Sequence, residues 1–178
     1  MKYSLYTATQ TNEIKTLFTK TFLDSEGEQE GQLIGQLVED LIGTTKTEDL
    51  YVFVATENEK VIGSILFTRL TFEAAISVFL LAPVAVHTDY QGKGVGQALI
   101  NFGLQAMKKE GVELAFTYGD PSFYSKVAFQ PVTEAQFKAP LTLSFPHGWL
   151  AQSLNGQELI GIDGDSSCVP AFNKPELW

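Results

Sequence analysis

The chain has 178 residues, 44% hydrophobic and 19% charged, which is the make-up of one ordinary globular domain long enough for a real core. Its formal net charge of −9 argues against nonspecific binding to nucleic acid or an anionic membrane, and suits either a cationic partner or plain solubility. The start Met1 to Thr7 reads as too polar for a signal peptide, no run reaches the roughly 18 apolar residues of a membrane span, and one cysteine, Cys168, with two histidines argues against a disulfide or a structural zinc site.

Lys2 to Tyr6 alternate weakly and read as a short first strand. Ile14, Leu17, Phe18, Thr21 and Phe22 recur at helical spacing, which predicts an amphipathic helix with Thr9 or Thr11 as N-cap and an end near Ser25. Glu26-Gly27-Glu28-Gln29-Glu30-Gly31 reads as an acidic turn, either simply solvated or an attractor for an ammonium group. Leu33, Ile34, Leu37, Val38 and Leu41 then predict a second helix stopped by Gly43.

Leu50 to Ala55 and Lys60 to Leu70 are rich in β-formers and flank Glu57-Asn58-Glu59, so they predict an antiparallel hairpin. Ala75 to Val86 follows as a longer strand, whose near-continuous apolar run from Ile76 to Leu81 places it centrally with both faces covered. Pro83 cannot donate to a ladder, so the strand is bulged or locally unpaired there. Either this is an ordinary bulge or it frees nearby backbone groups, notably the Val84 N–H, for a ligand.

Gln91-Gly92-Lys93-Gly94-Val95-Gly96 joins that strand to a helix whose face is traced by Val95, Ala98, Leu99, Phe102, Ala106 and Met107 and which Gly111 terminates. Glycines at a strand-to-helix junction let backbone N–H groups approach a ligand, and the helix start adds unpaired donors and partial positive charge, so the natural guest is a phosphate or pyrophosphate. Lys93 either reaches those phosphates or points into water. The Walker pattern fails for want of its upstream glycine and its hydroxyl after the lysine, and the dinucleotide fingerprint fails because Gln97 stands where its last glycine belongs.

Val112 to Tyr118 makes a strand parallel to the earlier one through a helical crossover. Gly119-Asp120-Pro121 opens another helix with Asp120 as N-cap, and Tyr124 falls on its first turn. Leu141 to Phe145 and Trp149 to Ser153 read as further strands, followed by a turn at Asn155-Gly156 and a tail rich in Gly, Asp and Ser.

Gln91 to Gly96 resembles the Q/R-x-x-G-x-G/A acyl-CoA motif of the GNAT (GCN5-related N-acetyltransferase) superfamily. Leu81 to Tyr90 resembles the strand and turn before that motif, and Phe123-Tyr124-Ser125-Lys126-Val127-Ala128-Phe129 resembles a segment that often reads F-Y-x-x-x-G-F. Two departures stand out: Thr88 where proline is common and Ala128 where glycine is. The whole chain is most similar to small, single-domain bacterial acetyltransferases of largely undefined substrate.

The resemblance implies an α/β fold: a mixed, mostly antiparallel central sheet with a splayed parallel strand pair around a crossover helix. It implies one domain over residues 1–178, with residues beyond about 135 as terminal strands and tail. Acetyl-CoA would be the cosubstrate, with no metal. Its pantetheine would pair along Val84, Ala85 and Val86, and its phosphates would rest on Gln91, Gly92, Lys93, Gly94, Val95 and Gly96. A primary amine, on a small molecule or a peptide, would attack the thioester directly. The Val84 N–H is the candidate for the oxyanion, and Glu73 or Asp120 for the base, though each also reads as a turn residue or helix cap. Tyr124 is the implied proton donor to the leaving thiolate, its alternative being a packed aromatic beside Phe123. The expected setting is cytoplasmic, as monomer or homodimer, without nucleic-acid or membrane partners. A catalytically silent acyl-CoA binding module and a nucleotide-binding domain remain as alternatives, the second lacking magnesium and ribose signatures.

Overall fold

The computed structural model describes residues 1–178. Its elements are β1 (Lys2–Leu5), α1 (Thr11–Glu26), α2 (Glu28–Thr44), β2 (Leu50–Glu57), β3 (Lys60–Phe72), β4 (Val78–Val86), α3 (Val95–Lys109), β5 (Leu114–Tyr118), α4 (Pro121–Tyr124), β6 (Gln130–Pro131), β7 (Trp149–Ser153) and β8 (Ser166–Ser167). The strand order is β1-β2-β3-β4-β5-β7-β6, with β8 added to β3. Strands β4 and β5 are parallel, joined through α3, whereas β1/β2, β5/β7, β6/β7 and β3/β8 pair antiparallel. This is the expected mixed, mostly antiparallel sheet with one parallel pair. No helix is long and apolar enough to cross a membrane. The chain packs as two compact units, Met1–Leu66 with Pro83–Gly103 and Phe67–Ala82 with Leu104–Trp178.

In the first unit the start of α1 differs from expectation. A short 3-10 turn, Ala8–Gln10, precedes it and is closed by Thr7, whose N–H donates to Gln10 Oε1 at 2.8 Å. The chain therefore enters α1 already wound, and Thr11 turns its hydroxyl back to Ala8 O rather than capping. The acidic run is not a loop either, because α2 begins at Glu28 and carries Glu28 and Glu30 on its first turn. Carboxylates there face the positive end of the helix dipole. Gly43 lies inside α2, which closes only when the Thr45 N–H meets Leu41 O. Gly31 and Gly35 allow α2 to lie close on α1, since a Cβ at either would collide with Thr19. The β2–β3 hairpin turns on Asn58 and Glu59, whose φ values of 49° and 64° define the type I′ turn that matches strand twist.

The second unit is built on β5. Phe116 lies 4.9 Å from Trp149, 5.1 Å from Phe137 and 6.0 Å from Phe72, ring centre to ring centre. β4 starts at Val78 rather than at Ala75, because the Ser77 N–H is taken by Glu113 Oε2 at 2.9 Å. The Gly-, Asp- and Ser-rich tail supplies part of this core: Trp178 is 4% exposed, stacks on Tyr118 and donates from Nε1 to Phe172 O at 2.9 Å. Leu141 to Phe145, read as a strand, is irregular. Its Ser144 N–H goes to Trp178 O at 3.0 Å, so the tail provides the partner that a neighbouring strand would have supplied.

Candidate active site

Strand β4 is registered with β5 over four pairs, Val78 with Leu114 through Leu81 with Thr117. The ladder with β5 thus ends two residues before Pro83, so this proline interrupts no pair on that side. At its end the Thr117 hydroxyl donates to Leu81 O at 2.8 Å.

The first unit carries the rest of β4 and the glycine loop. Ala85 is buried and Val84 and Val86 are partly exposed. The His87 N–H donates to Ile62 O at 2.8 Å, after which Thr88–Tyr90 forms a 3-10 turn. Thr88, standing where proline is common in the resembled pattern, uses its hydroxyl to reach Asp24 Oδ2 at 3.0 Å. Gln91 ties the loop back to the strand by donating from Nε2 to Val86 O at 2.9 Å. Gly92 and Gly94 have φ values of 73° and 80°, the left-handed region where a side chain costs roughly 1–2 kcal/mol. No atom lies within 4 Å of where a Cβ would stand on either glycine, so the loop presents bare backbone to open space. The Lys93 ammonium stands 5.6 Å above the Tyr90 ring, a cation–π position.

Val95, Leu99, Ile100, Leu104 and Met107 form the buried face of α3. Phe102, expected on that face, remains 39% exposed while its ring meets Tyr3 and Phe53.

The second unit holds Tyr124. Asp120 caps α4 as expected, its Oδ1 accepting from the Ser122 N–H and hydroxyl, each at 2.9 Å. Its carboxylate is thereby committed to structure, which weakens its claim as a base. Tyr124 closes the single turn of α4, with Phe123 and Phe129 edge to face at 5.0 and 5.8 Å. The ring also covers Gly119, where a Cβ would fall 2.8 Å from Cε2. Burial pushes the Tyr124 phenol above its ordinary pKa, hydrogen bonding with the Thr117 hydroxyl works against that rise, and the Asp120 charge adds to it. Glu73 lies exposed in the bend after β3, its carboxylate against Gly164. Thr117 is the residue that sequence reasoning missed: nothing in Leu-Ala-Phe-Thr-Tyr marks one buried hydroxyl as different from any other strand threonine.

A family model described as an acetyltransferase (GNAT) domain matches residues 48–131. The uncharacterized N-acetyltransferase YjhQ of Escherichia coli K12 is 30% identical over 164 residues, covering 89% of this chain and 86% of the relative. Among solved structures, the GNAT family N-acetyltransferase YhbS of Escherichia coli, in complex with CoA, superposes with a TM-score of 0.78 at 24% identity, over 97% of this chain and 92% of that one. A GNAT family acetyltransferase from Brucella melitensis, in complex with acetyl-CoA, gives 0.74 at 21% identity, over 97% of each chain. The chain belongs to the GNAT acetyltransferase family and is an N-acetyltransferase.

Proposed function

We propose that the protein transfers the acetyl group of acetyl-CoA to a primary amine by direct attack, as one catalytic domain. The observation that carries this reading is the loop at the start of α3. Two left-handed glycines leave open space where side chains would be, before a helix start whose first N–H groups have no intrahelical acceptor. A diphosphate fits such a cradle, with Gln91, Gly92, Lys93, Gly94, Val95 and Gly96 around it and Val84, Ala85 and Val86 as backbone partners for the pantetheine arm. The CoA and acetyl-CoA in the Escherichia coli and Brucella structures support CoA as the ligand. When bound, the thioester supplies an activated acyl group.

The chain's own residues meet three demands. The Val84 N–H donates to the carbonyl oxygen as negative charge builds on it. Glu73, an exposed carboxylate, takes the proton of an ammonium whose ordinary pKa is about 10, because only the neutral amine attacks. Tyr124, kept protonated by its burial, donates to the departing sulfur. The acceptor is a cation, drawn by the net charge of −9 and by exposed Glu26 and Glu28 and half-buried Glu30 around the α1–α2 junction.

Release of free thiol from acetyl-CoA across polyamines, aminoglycosides, amino acids and basic peptides tests this. The expected result is thiol release with a cationic amine whose KM rises with salt more than that of acetyl-CoA. CoA binding without release for any amine would make the protein a binding module. A neutral or anionic preferred acceptor would overturn the charge argument alone.

A further inference from the structure

The outer strands of the sheet end it in different ways. β6 is two residues long and one of them is Pro131, which has no N–H to offer a further strand. β1 has no such protection. It pairs with β2 alone, Tyr3 opposite Ala55 and Leu5 opposite Phe53. The Tyr6 N–H donates to Val52 O at 2.9 Å in the same register, and in an antiparallel ladder the residues that exchange bonds alternate with those that do not. Lys2, Ser4 and Tyr6 therefore turn their peptide groups to β2, while those of Tyr3 and Leu5 point outward. A groove of about 470 Å³ lies open along this edge, with Lys2, Ser4, Leu5 and Thr7 in its lining.

The side chains beside those free peptides are apolar. Tyr3 and Leu5 share one face of the strand, where the Phe102 ring of α3 lies 6.1 Å from Tyr3 and 5.9 Å from Phe53. Leu5 is still 57% exposed and Phe102 39%. α3 carries no charged residue from Val95 to Gly103, and the one charged side chain of β1, Lys2, lies on the opposite face. Glu57, at the far end of β2, is paired with the Met1 amino group at 3.6 Å. Copies of a chain with net charge −9 repel one another, so a face without carboxylates is where they can meet.

We infer that β1 pairs antiparallel with β1 of a second copy, about a two-fold axis at Ser4, and so continues the sheet across a dimer. A two-fold joint needs a self-complementary edge. The register that uses both outward residues sets Tyr3 opposite Leu5 of the second copy and Leu5 opposite its Tyr3, with two backbone bonds exchanged in each pair. On the α3 side each tyrosine ring then covers the exposed leucine across from it, next to Phe102. On the other side Ser4 faces its own counterpart and Lys2 faces Tyr6, so no like charges are opposed. The joint is independent of the acetyl transfer proposed above.

A short strand and one helix face make a small interface, so dimerisation should depend on concentration. Sedimentation velocity should show the mass doubling as the protein is concentrated through the micromolar range. Leu5→Pro removes an outward N–H and keeps the bonds to β2, and Phe102→Lys charges the apolar side. Each should raise the concentration of half-dimerisation by at least about tenfold, with an unchanged circular dichroism spectrum showing that the variant is folded. Ser4→Cys tests the register without weakening the joint, in a Cys168→Ser background that removes the one native cysteine. Facing residues of a pair that exchanges no bonds have Cα atoms about 4.5 Å apart, within disulfide reach. Under mild oxidation Ser4→Cys should therefore link into a dimer faster than Leu5→Cys, whose counterpart lies diagonally at about 7–8 Å.

A protein that stays monomeric at every concentration overturns the inference. So does a dimer that Leu5→Pro and Phe102→Lys both leave equally tight, since its interface then lies elsewhere. Faster linkage through Leu5→Cys than through Ser4→Cys removes the axis from Ser4 and overturns the inference as well.

Discussion

The two strand-to-helix junctions of this protein use opposite materials. At the start of α4 every main-chain donor is accounted for. Pro121 has none, the Ser122 N–H goes to the Asp120 carboxylate, and those of Phe123 and Tyr124 go to Asp120 O at 3.2 and 3.1 Å. At the start of α3 the first helical bond runs from the Ala98 N–H to Gly94 O at 3.0 Å. Val95, Gly96 and Gln97 therefore find no acceptor within the helix, and Gly94 has no side chain with which to cap them. One helix start is closed by its own carboxylate and can only aim a side chain; the other stays open to an anion. A negatively charged cap suits the first role and would repel a phosphate in the second.

The strongest way to break this contrast is at the side chain that the closed junction aims. Tyr124→Phe keeps the ring over Gly119 and removes only the proton donor. It should lower kcat within about 10²- to 10⁴-fold, the usual contribution of general acid catalysis, with acetyl-CoA affinity almost unchanged. Steady-state kinetics at saturating amine, paired with calorimetric titration of CoA, checks both halves. The raised pKa of this phenol also makes an alkaline prediction. Between the ordinary value of about 10 and the higher folded value, the native state holds a proton that the unfolded chain has lost, so stability falls as pH rises through that window. Denaturant midpoints above about pH 10 should decline less steeply in Tyr124→Phe than in the parent protein.

At the open junction the expected loss lies in binding rather than turnover. Gly94→Val forces a β-branched side chain into φ 80° and pushes the backbone away from whatever anion it meets. CoA affinity should weaken by at least about tenfold, on the order of 1.4 kcal/mol. Unchanged affinity in a folded variant would reduce the loop to a tight turn.

Both junctions were legible in the sequence because each is local. Glycine spacing, a proline after an aspartate and an apolar run before each turn lie within a few residues of one another. The parallel pair and its crossover followed from the same local signals. What could not be read depends on distant partners. Leu141 to Phe145 alternates like a strand, yet its backbone is satisfied by Trp178. The tail looks like solvent-loving chain until Trp178 and Phe172 are seen buried, 4% and 5% exposed. The acidic run from Glu26 to Gly31 reads as a turn because the stabilising effect of Glu28 and Glu30 at a helix start appears only once that start is known. Thr117 acquires significance only through Leu81 and Tyr124, its neighbours in space.

A smaller effect separates the cap of α4 from its charge. Asp120→Ala leaves the Ser122 N–H without its acceptor and should cost about 1 kcal/mol of stability, read as a lower denaturant midpoint. Because Tyr124 ends that same turn, kcat should fall too. Asp120→Asn keeps an oxygen for the cap and removes the charge that raises the phenol pKa, so it should restore stability while moving the Tyr124 titration downward. Asparagine as destabilising as alanine would mean that the charge, not the cap, holds the junction.

The smallest effect lies just beyond, at Ala128, where the resembled pattern has glycine. Ala128 follows the 3-10 turn Ser125–Val127 with φ 71° and ψ 15°, a left-handed conformation. That geometry lets the Ala128 N–H reach Ser125 O at 3.2 Å and the Phe129 N–H reach Tyr124 O at 3.1 Å, so it closes the turn behind the catalytic candidate. An alanine held there is strained by roughly 1 kcal/mol or more, and glycine relieves the strain but gives back part of the gain through its greater freedom when unfolded. The methyl group is exposed, so its removal leaves no cavity to offset the gain. Ala128→Gly should therefore stabilise the protein by about 0.5–1 kcal/mol, which for a chain of this size raises Tm by roughly 1–4 °C. The turn already has the conformation glycine prefers, so Tyr124 stays where it is and kcat should not change. A thermal melt below that of the parent would show that alanine carries no strain at this position.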